Sequence, residues 1–198
     1  MITNLRELLL QRAARLQERP ALTAPDWGTL SYTQFRNRVE GVALGLLAQS
    51  PPPEAVGCAT GTPWDWVAEV AAAASGLVWN PSGATLAPEA QGGSQFNEEA
   101  GRDPYHERGH HLGEGTPFQG GLTQGELLGR LKAFNRQLGW DHETQVSLPL
   151  ARLAEPPVRA GLWCALYAGA HVVLEPPSAG RSREDGLIQG FWGSSGGL

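Results

Sequence analysis

Lysine is almost absent from this chain. Of 198 residues only Lys132 carries an ammonium side chain, so chemistry that gathers phosphate charge with positioned lysines has one such group to draw on. Basic residues number 15 against 20 acidic, a net charge of -5, which argues against nucleic acid or an anionic membrane as the main partner. No basic stripe with interleaved aromatics occurs. Cysteine is scarce too. Cys58 and Cys164 lie far apart in apolar segments and read as buried thiols of a reduced compartment, a disulfide or a catalytic cysteine being the alternatives. No apolar run approaches the length of a membrane span, and the N-terminus lacks the charged, apolar and cleavage regions of a secretion signal. The expected location is cytoplasmic, and the length suits one domain with its own core.

What the chain does have is a regular alternation of helix and strand patterns. Asn4 followed by Glu7 spells a helix start, and Leu5, Leu8, Leu9, Ala13 and Leu16 share one face. Pro20 stops that helix, and residues 21–24 and 30–33, joined through Asp26-Trp27-Gly28, predict a hairpin. Phe35, Val39, Val42, Ala43, Leu46 and Leu47 predict a second amphipathic helix that ends before Pro51-Pro52-Pro53. Residues 56–59 read as a strand, and Thr62-Pro63 as a helix entry with the threonine as N-cap. An Ala-rich helix then runs to Ser75, ahead of a short strand at Leu77-Val78-Trp79. Further on, the patterns predict a helix over 126–138, a strand over 146–150, a helix over 158–168 and a strand over 171–174. This order implies an α/β domain, a mostly parallel sheet flanked by helices. Residues 82–109 read as one long polar loop. Residues 178–198 read as a flexible Gly/Ser-rich tail whose apolar content is Leu187, Ile188, Phe191 and Trp192.

Residues 110–127 run His110-His111-Leu112-Gly113-Glu114-Gly115-Thr116-Pro117-Phe118-Gln119-Gly120-Gly121-Leu122-Thr123-Gln124-Gly125-Glu126-Leu127. This stretch resembles the phosphate-binding loop of the adenylate-forming (AMP-binding) family, the acyl-CoA synthetases and their relatives, whose pattern is roughly TSGTTGxPKGVxxTHxNL. Gly115, Pro117, Thr123 and Leu127 fall on matching positions. Phe118 stands where the family has its lysine, and Glu114 where it has a hydroxyl. The resemblance covers residues 1–177, carried also by the element order over 21–81, by Leu148-Pro149-Leu150, and by the Ala-Gly-Ala-plus-strand stretch over 168–174. Ala151 and Arg152 occupy the region in which many members carry a histidine near the acyl pocket.

The resemblance implies a truncated first part of the adenylate-forming N-terminal domain, without the acidic adenine and ribose motifs or the mobile C-terminal domain. It implies that Gly113, Gly115, Thr116, Pro117 and Thr123 form what remains of the phosphate loop, with ATP or AMP and Mg²⁺ as cofactors if the loop still binds nucleotide. Neither the loop lysine nor the C-terminal lysine is present. The expected protein is therefore a catalytically degenerate synthetase-like chain acting in binding or assembly, as a homodimer or with a protein partner over the truncated face. The alternative is acyl or aryl adenylation completed by a separate chain, through backbone amides of residues 113–121 that can cradle an anion.

A third reading comes from His106-Glu107-Arg108-Gly109-His110, which spells the H-E-x-x-H of zinc hydrolases. That spelling works only on a helix, and Gly101, Pro104, Gly109 and Gly113 oppose one. The segment is expected to be a polar loop, with His111 adding to an adventitious metal affinity and His142, Glu143 or His171 as third-ligand candidates. Trp64, Trp66, Trp79, Trp140 and Trp163 are expected to pack. Arg152 and Arg159 are expected to be solvated, as is the Glu98-Glu99 pair.

Overall fold

A computed structural model describes residues 2–83, 104–176 and 190–192. Most of the expected polar loop, with Glu98 and Glu99, and most of the expected tail, with Leu187 and Ile188, lie outside the described residues.

Helix α1 spans Leu5–Leu16. The Asn4 side chain accepts the Glu7 backbone N–H at 2.9 Å, which satisfies one of the donors that every helix start leaves open. Strands β1 (Pro20–Ala24) and β2 (Gly28–Ser31) form the expected antiparallel hairpin. Helix α2 (Tyr32–Leu47) begins two residues earlier than the alternating pattern suggests. The cause is a reciprocal cap: the Ser31 hydroxyl accepts from Gln34 N–H, and the Gln34 side chain accepts from Ser31 N–H.

Strand β3 (Ala55–Val56) pairs in parallel with β4 (Val78–Trp79), and helix α3 (Trp64–Ala74) connects them. Thr62 is not the cap of α3, contrary to the sequence pattern; no side chain caps that helix end. The Asp65 carboxylate instead accepts from the backbone N–H groups of Thr60 and Gly61, each at 2.8 Å, and ties the entry loop to the helix. Helix α4 (Pro104–Gly109) follows, then the short hairpin of β5 (Pro117–Gln119) and β6 (Leu122–Thr123). The chain continues through α5 (Gln124–Leu138), β7 (Gln145–Pro149), a 3₁₀ turn over Leu150–Arg152, α6 (Pro156–Ala168) and β8 (His171–Glu175).

The main sheet has the order β2-β1-β8-β7. Its β1–β8 and β7–β8 pairs are parallel, so the sheet is mostly parallel, as the element order requires. Buried residues of α1, α2, α3, α5 and α6 join the sheet in one apolar core. Tyr32 locks α2 to the end of α6 by donating its hydroxyl to the Ala170 carbonyl at 2.8 Å. Cys58 and Cys164 are both buried thiols, not joined in a disulfide; the Cys58 thiol donates to the Asp65 carboxylate at 3.2 Å, and burial pushes the Cys164 thiol up to about 12. Among the described residues, no helix is long and apolar enough to cross a membrane.

Candidate functional site

The loop between α4 and α5 folds back on itself. Gly113 N–H donates to the Thr116 hydroxyl at 2.9 Å, and Thr116 N–H donates to the Gly113 carbonyl at 3.0 Å. Gln124 N–H then reaches the Thr116 carbonyl and Gly125 N–H reaches that of Glu114, at 2.8 and 2.9 Å. A Cβ on Gly125 would stand 2.8 Å from the Glu114 Cβ, so this crossing requires glycine. Gly120 and Gly121, with φ of 52° and 82°, turn β5 into β6. Positive φ at both central residues is the pattern of a type I′ hairpin turn. Thr123 caps α5: its oxygen accepts Glu126 N–H at 3.3 Å, while the Glu126 carboxylate accepts Thr123 N–H at 2.8 Å. That backbone bond holds the Glu126 carboxyl below its usual range.

Phe118, midway along β5, is fully buried at 0% exposure. Its ring meets Trp163 edge-on at 5.5 Å and lies nearly parallel to Trp192 at 6.4 Å. Beneath it sits a buried ion pair. Arg159 is 2% exposed, and its Nε and Nη2 donate to the two Glu69 carboxylate oxygens at 2.8 and 2.6 Å. Nη2 also donates to the Gln119 side-chain oxygen at 2.6 Å, and Trp163 Nε1 donates to Glu69 at 2.7 Å. The Trp192 ring covers the guanidinium at 4.8 Å. Arg159 is thus a core residue and not the solvated arginine its sequence context suggested. Arg152 pairs with Glu155 at 2.6 Å.

Phe191 and Trp192, which the composition placed in the tail, pack on the core. Phe191 meets Phe134 edge-on at 5.1 Å, and its carbonyl accepts from Arg130 Nη1 at 3.0 Å. Trp192 Nε1 donates to the Pro156 carbonyl at 2.6 Å. Between β4 and the β5–β6 turn these residues bound a cavity of about 520 Å³, lined by Trp79, Asn80, Gly120, Gly121, Arg130 and Trp192 among others. Small-molecule sites typically run from about 300 to 1,000 Å³. Trp79 Nε1 is buried and has no hydrogen-bond partner among the described residues.

A second, more open hollow of about 610 Å³ lies against the outer face of the loop. Gly113, Gly115, Thr116 and Pro117 come together in its wall, joined by Arg108 and His111. Thr123 does not line it and acts as the α5 cap. Lys132 is exposed in the middle of α5.

The H-E-x-x-H stretch is helical as far as Gly109, against expectation, and His110 lies in the turn that follows. Pro104 sits at the helix start, where its missing N–H costs nothing. Tyr105 supplies the buried anchor, with the Arg6 guanidinium 3.8 Å from its ring centroid and hydrogen-bonded to its carbonyl. Gly109 is not a breaker here; a Cβ on it would collide with that guanidinium. The rings of His106 and His110 stand 5.0 Å apart on the resulting turn. Among the described residues no group of three or more His, Cys, Asp or Glu side chains is placed to hold a metal ion.

No protein-family model matches the sequence, and no curated protein matches it. Solved structures do match the fold. The crystal structure of VinN superposes with a TM-score of 0.65 at 12% identity, covering 94% of this chain and 63% of VinN. The N-terminal domain of FACL13 from Mycobacterium tuberculosis gives 0.64 at 15% identity, over 90% of this chain and 58% of that one. The Klebsiella oxytoca NpsA N-terminal subdomain, in complex with 3-hydroxyanthranilyl-AMSN, gives 0.61 at 14% identity, over 91% and 55%. This is the fold of an adenylate-forming N-terminal subdomain. The chain spans less than two thirds of the length of each of these relatives.

Phe118, which the sequence resemblance sets against the pattern's lysine, packs into the aromatic core, and Thr123 caps the helix that follows the loop. The sequence reading missed Glu69, Arg159 and Trp192 as the support of this region. One signal was present: Glu69 is a carboxylate in the middle of an Ala-rich helix whose other acidic residue, Asp65, sits in the first turn, and a mid-helix carboxylate among apolar neighbours demands a buried partner.

Proposed function

We propose that this chain is a catalytically degenerate adenylate-forming subdomain that acts in binding or assembly and does not adenylate a carboxylate. The observation that carries the reading is Phe118, fully buried on Trp163 and Trp192 at the position of the pattern's lysine. Adenylation concentrates negative charge on a transferring phosphoryl group, and positioned cations are what stabilise it. Here Lys132 is on α5, Arg159 is consumed by Glu69, and Arg108 donates to the Ser75 carbonyl at 3.1 Å. The test is pyrophosphate exchange with Mg-ATP across aliphatic and aromatic carboxylic acids, together with thermal unfolding in Mg-ATP and in AMP. No exchange and no shift of the midpoint is the expected result; exchange above background with any acid would overturn the reading.

An assembly role has support in the sheet. Strand β7 has β8 as its one neighbour among the described residues, and an unpaired strand edge is a template for another chain. A homodimer or a protein partner across that edge is the assembly we propose, with oligomeric mass in solution as its check.

The second reading is adenylation completed by a separate polypeptide. It draws on the fold and on the Thr116 hydroxyl, whose oxygen accepts from Gly113 and whose proton is left to donate to an anion in the open hollow. A nucleotide-dependent shift of the melting midpoint favours it over the first.

A further inference from the structure

We propose that His106 and His110 form a two-histidine chelate for a late first-row divalent cation, with copper(II) held more tightly than zinc(II). The two residues are four apart, and α4 and its continuation put them on one side of a helical turn. His110 follows the last helical residue, but its backbone N–H still donates to the Glu107 carbonyl at 3.2 Å, so the turn runs on through it. Both side chains are exposed. The ring centroids are 5.0 Å apart and edge-to-face. Two imidazole nitrogens on one metal, each bonded at about 2.0 to 2.1 Å, stand about 3 Å apart. Rotation about the side-chain bonds closes that gap with no change in the backbone.

A pair of histidines on a fraying six-residue helix would bind weakly, because the metal would have to order the helix. This helix is already held at three points. Arg6 stacks on Tyr105 and hydrogen-bonds its carbonyl. The same guanidinium lies directly over Gly109, where a Cβ would stand inside contact distance of it. Arg108 donates to Ser75 at the end of α3. The backbone that presents the two imidazoles is therefore set before metal arrives, which lowers the ordering cost of binding.

The site is a chelate and not a zinc-hydrolase centre. The candidate third ligands are elsewhere: His142 and Glu143 lie by Arg19, and the His171 ring is bonded to the Thr23 hydroxyl at 2.8 Å. Among the described residues the pair supplies two nitrogens and no third ligand joins them, which leaves the remaining coordination positions to water or to a small anionic ligand. The preference for copper over zinc follows from the general stability order of divalent metals at nitrogen sites.

The test is titration of the full, metal-free chain with copper(II) and with zinc(II), followed by calorimetry and, for copper, by electron paramagnetic resonance. One copper per chain with coupling to two imidazole nitrogens is the expected result. His106→Ala and His110→Ala should each weaken copper binding by about tenfold or more, as loss of one of two ligands implies. His111→Ala should leave it within about twofold, since that ring is not a ligand of the proposed pair. His110→Ala and His111→Ala should keep the metal-free melting midpoint, because the altered side chains are exposed. Absence of stoichiometric copper binding overturns the proposal, as does equal loss from His111→Ala, or binding that survives both His106→Ala and His110→Ala.

Discussion

Restoring the lysine of the adenylate-forming pattern should damage this protein and not revive it. Phe118→Lys removes a ring that is 0% exposed and that contacts Trp163 at 5.5 Å and Trp192 at 6.4 Å. Truncating a buried phenylalanine costs about 3 to 5 kcal/mol, of which each aromatic pair accounts for about 0.5 to 1.5. The new ammonium recovers little of this, because it enters a cluster whose carboxylate, Glu69, is already bidentate with Arg159. A net loss of about 3 to 5 kcal/mol lowers the melting midpoint by roughly 6 to 20 °C in a chain of this size. Urea and thermal unfolding measure the loss, with Phe118→Leu as a control that gives up the two aromatic pairs, about 1 to 3 kcal/mol, without burying a charge. Pyrophosphate exchange on the same variant asks the functional question. The reasoning fails if Phe118→Lys melts within a degree or two of the parent. If that stable variant also turned over ATP, position 118 would be an intact catalytic seat lacking only its lysine.

Three further outcomes follow from the same packing. Arg159→Met strands the Glu69 carboxylate in the core and should cost about 3 to 5 kcal/mol in urea unfolding. Adding Glu69→Leu should return part of that loss, and a double variant that loses the full sum of the two singles would sink the account. Thr123→Ala removes the α5 cap and should cost about 0.5 to 2 kcal/mol while leaving any Mg-ATP binding unchanged; loss of nucleotide binding without loss of stability would make Thr123 a ligand contact. Burial lowers the His171 pKa from its ordinary 6.5, so on acidification the unfolded chain takes up the proton first. The His171 contribution to stability is then whole above about pH 6.5 and declines as pH falls through the lowered value. His171→Asn should flatten that part of the urea-midpoint profile; an unchanged slope would show that the ring does not titrate differently on unfolding.

How much of this was legible depended on how local each cause is. The helices α1, α5 and α6 and the strands β7 and β8 were readable because their apolar residues recur at one face and each sits between recognisable stops. The start of α2 was missed, although Ser31 and Gln34 spell a capping box, because Leu30 to Thr33 also alternates like a strand. The failure at α4 was of another kind. Gly109 reads as a helix breaker in sequence, and nothing nearby says that Arg6, more than a hundred positions earlier, passes over it and binds Tyr105. Likewise Glu69 and Arg159 are separated by 90 positions, so the demand of one for a partner is visible and the identity of the partner is not.

If the chain is the degenerate subdomain proposed above, the same distinction bears on how its loop lost phosphate chemistry while the fold persisted. The fold asks little of the loop: a capped start for α5, a turn at Gly120 and Gly121, and a crossing of Gly125 over Glu114. None of these needs a lysine. An exposed lysine contributes little to stability, whereas a phenylalanine at the same place, fully buried, contributes about 1.5 to 3 kcal/mol. Once selection for phosphate binding is relaxed, replacement by an aromatic is favoured by stability alone. It is also hard to reverse, because Trp163, Trp192 and the Glu69–Arg159 pair are now arranged around the ring. On this argument the aromatic cluster and the missing lysine are one feature, and stability measurements at position 118 test the functional proposal as directly as an activity assay does.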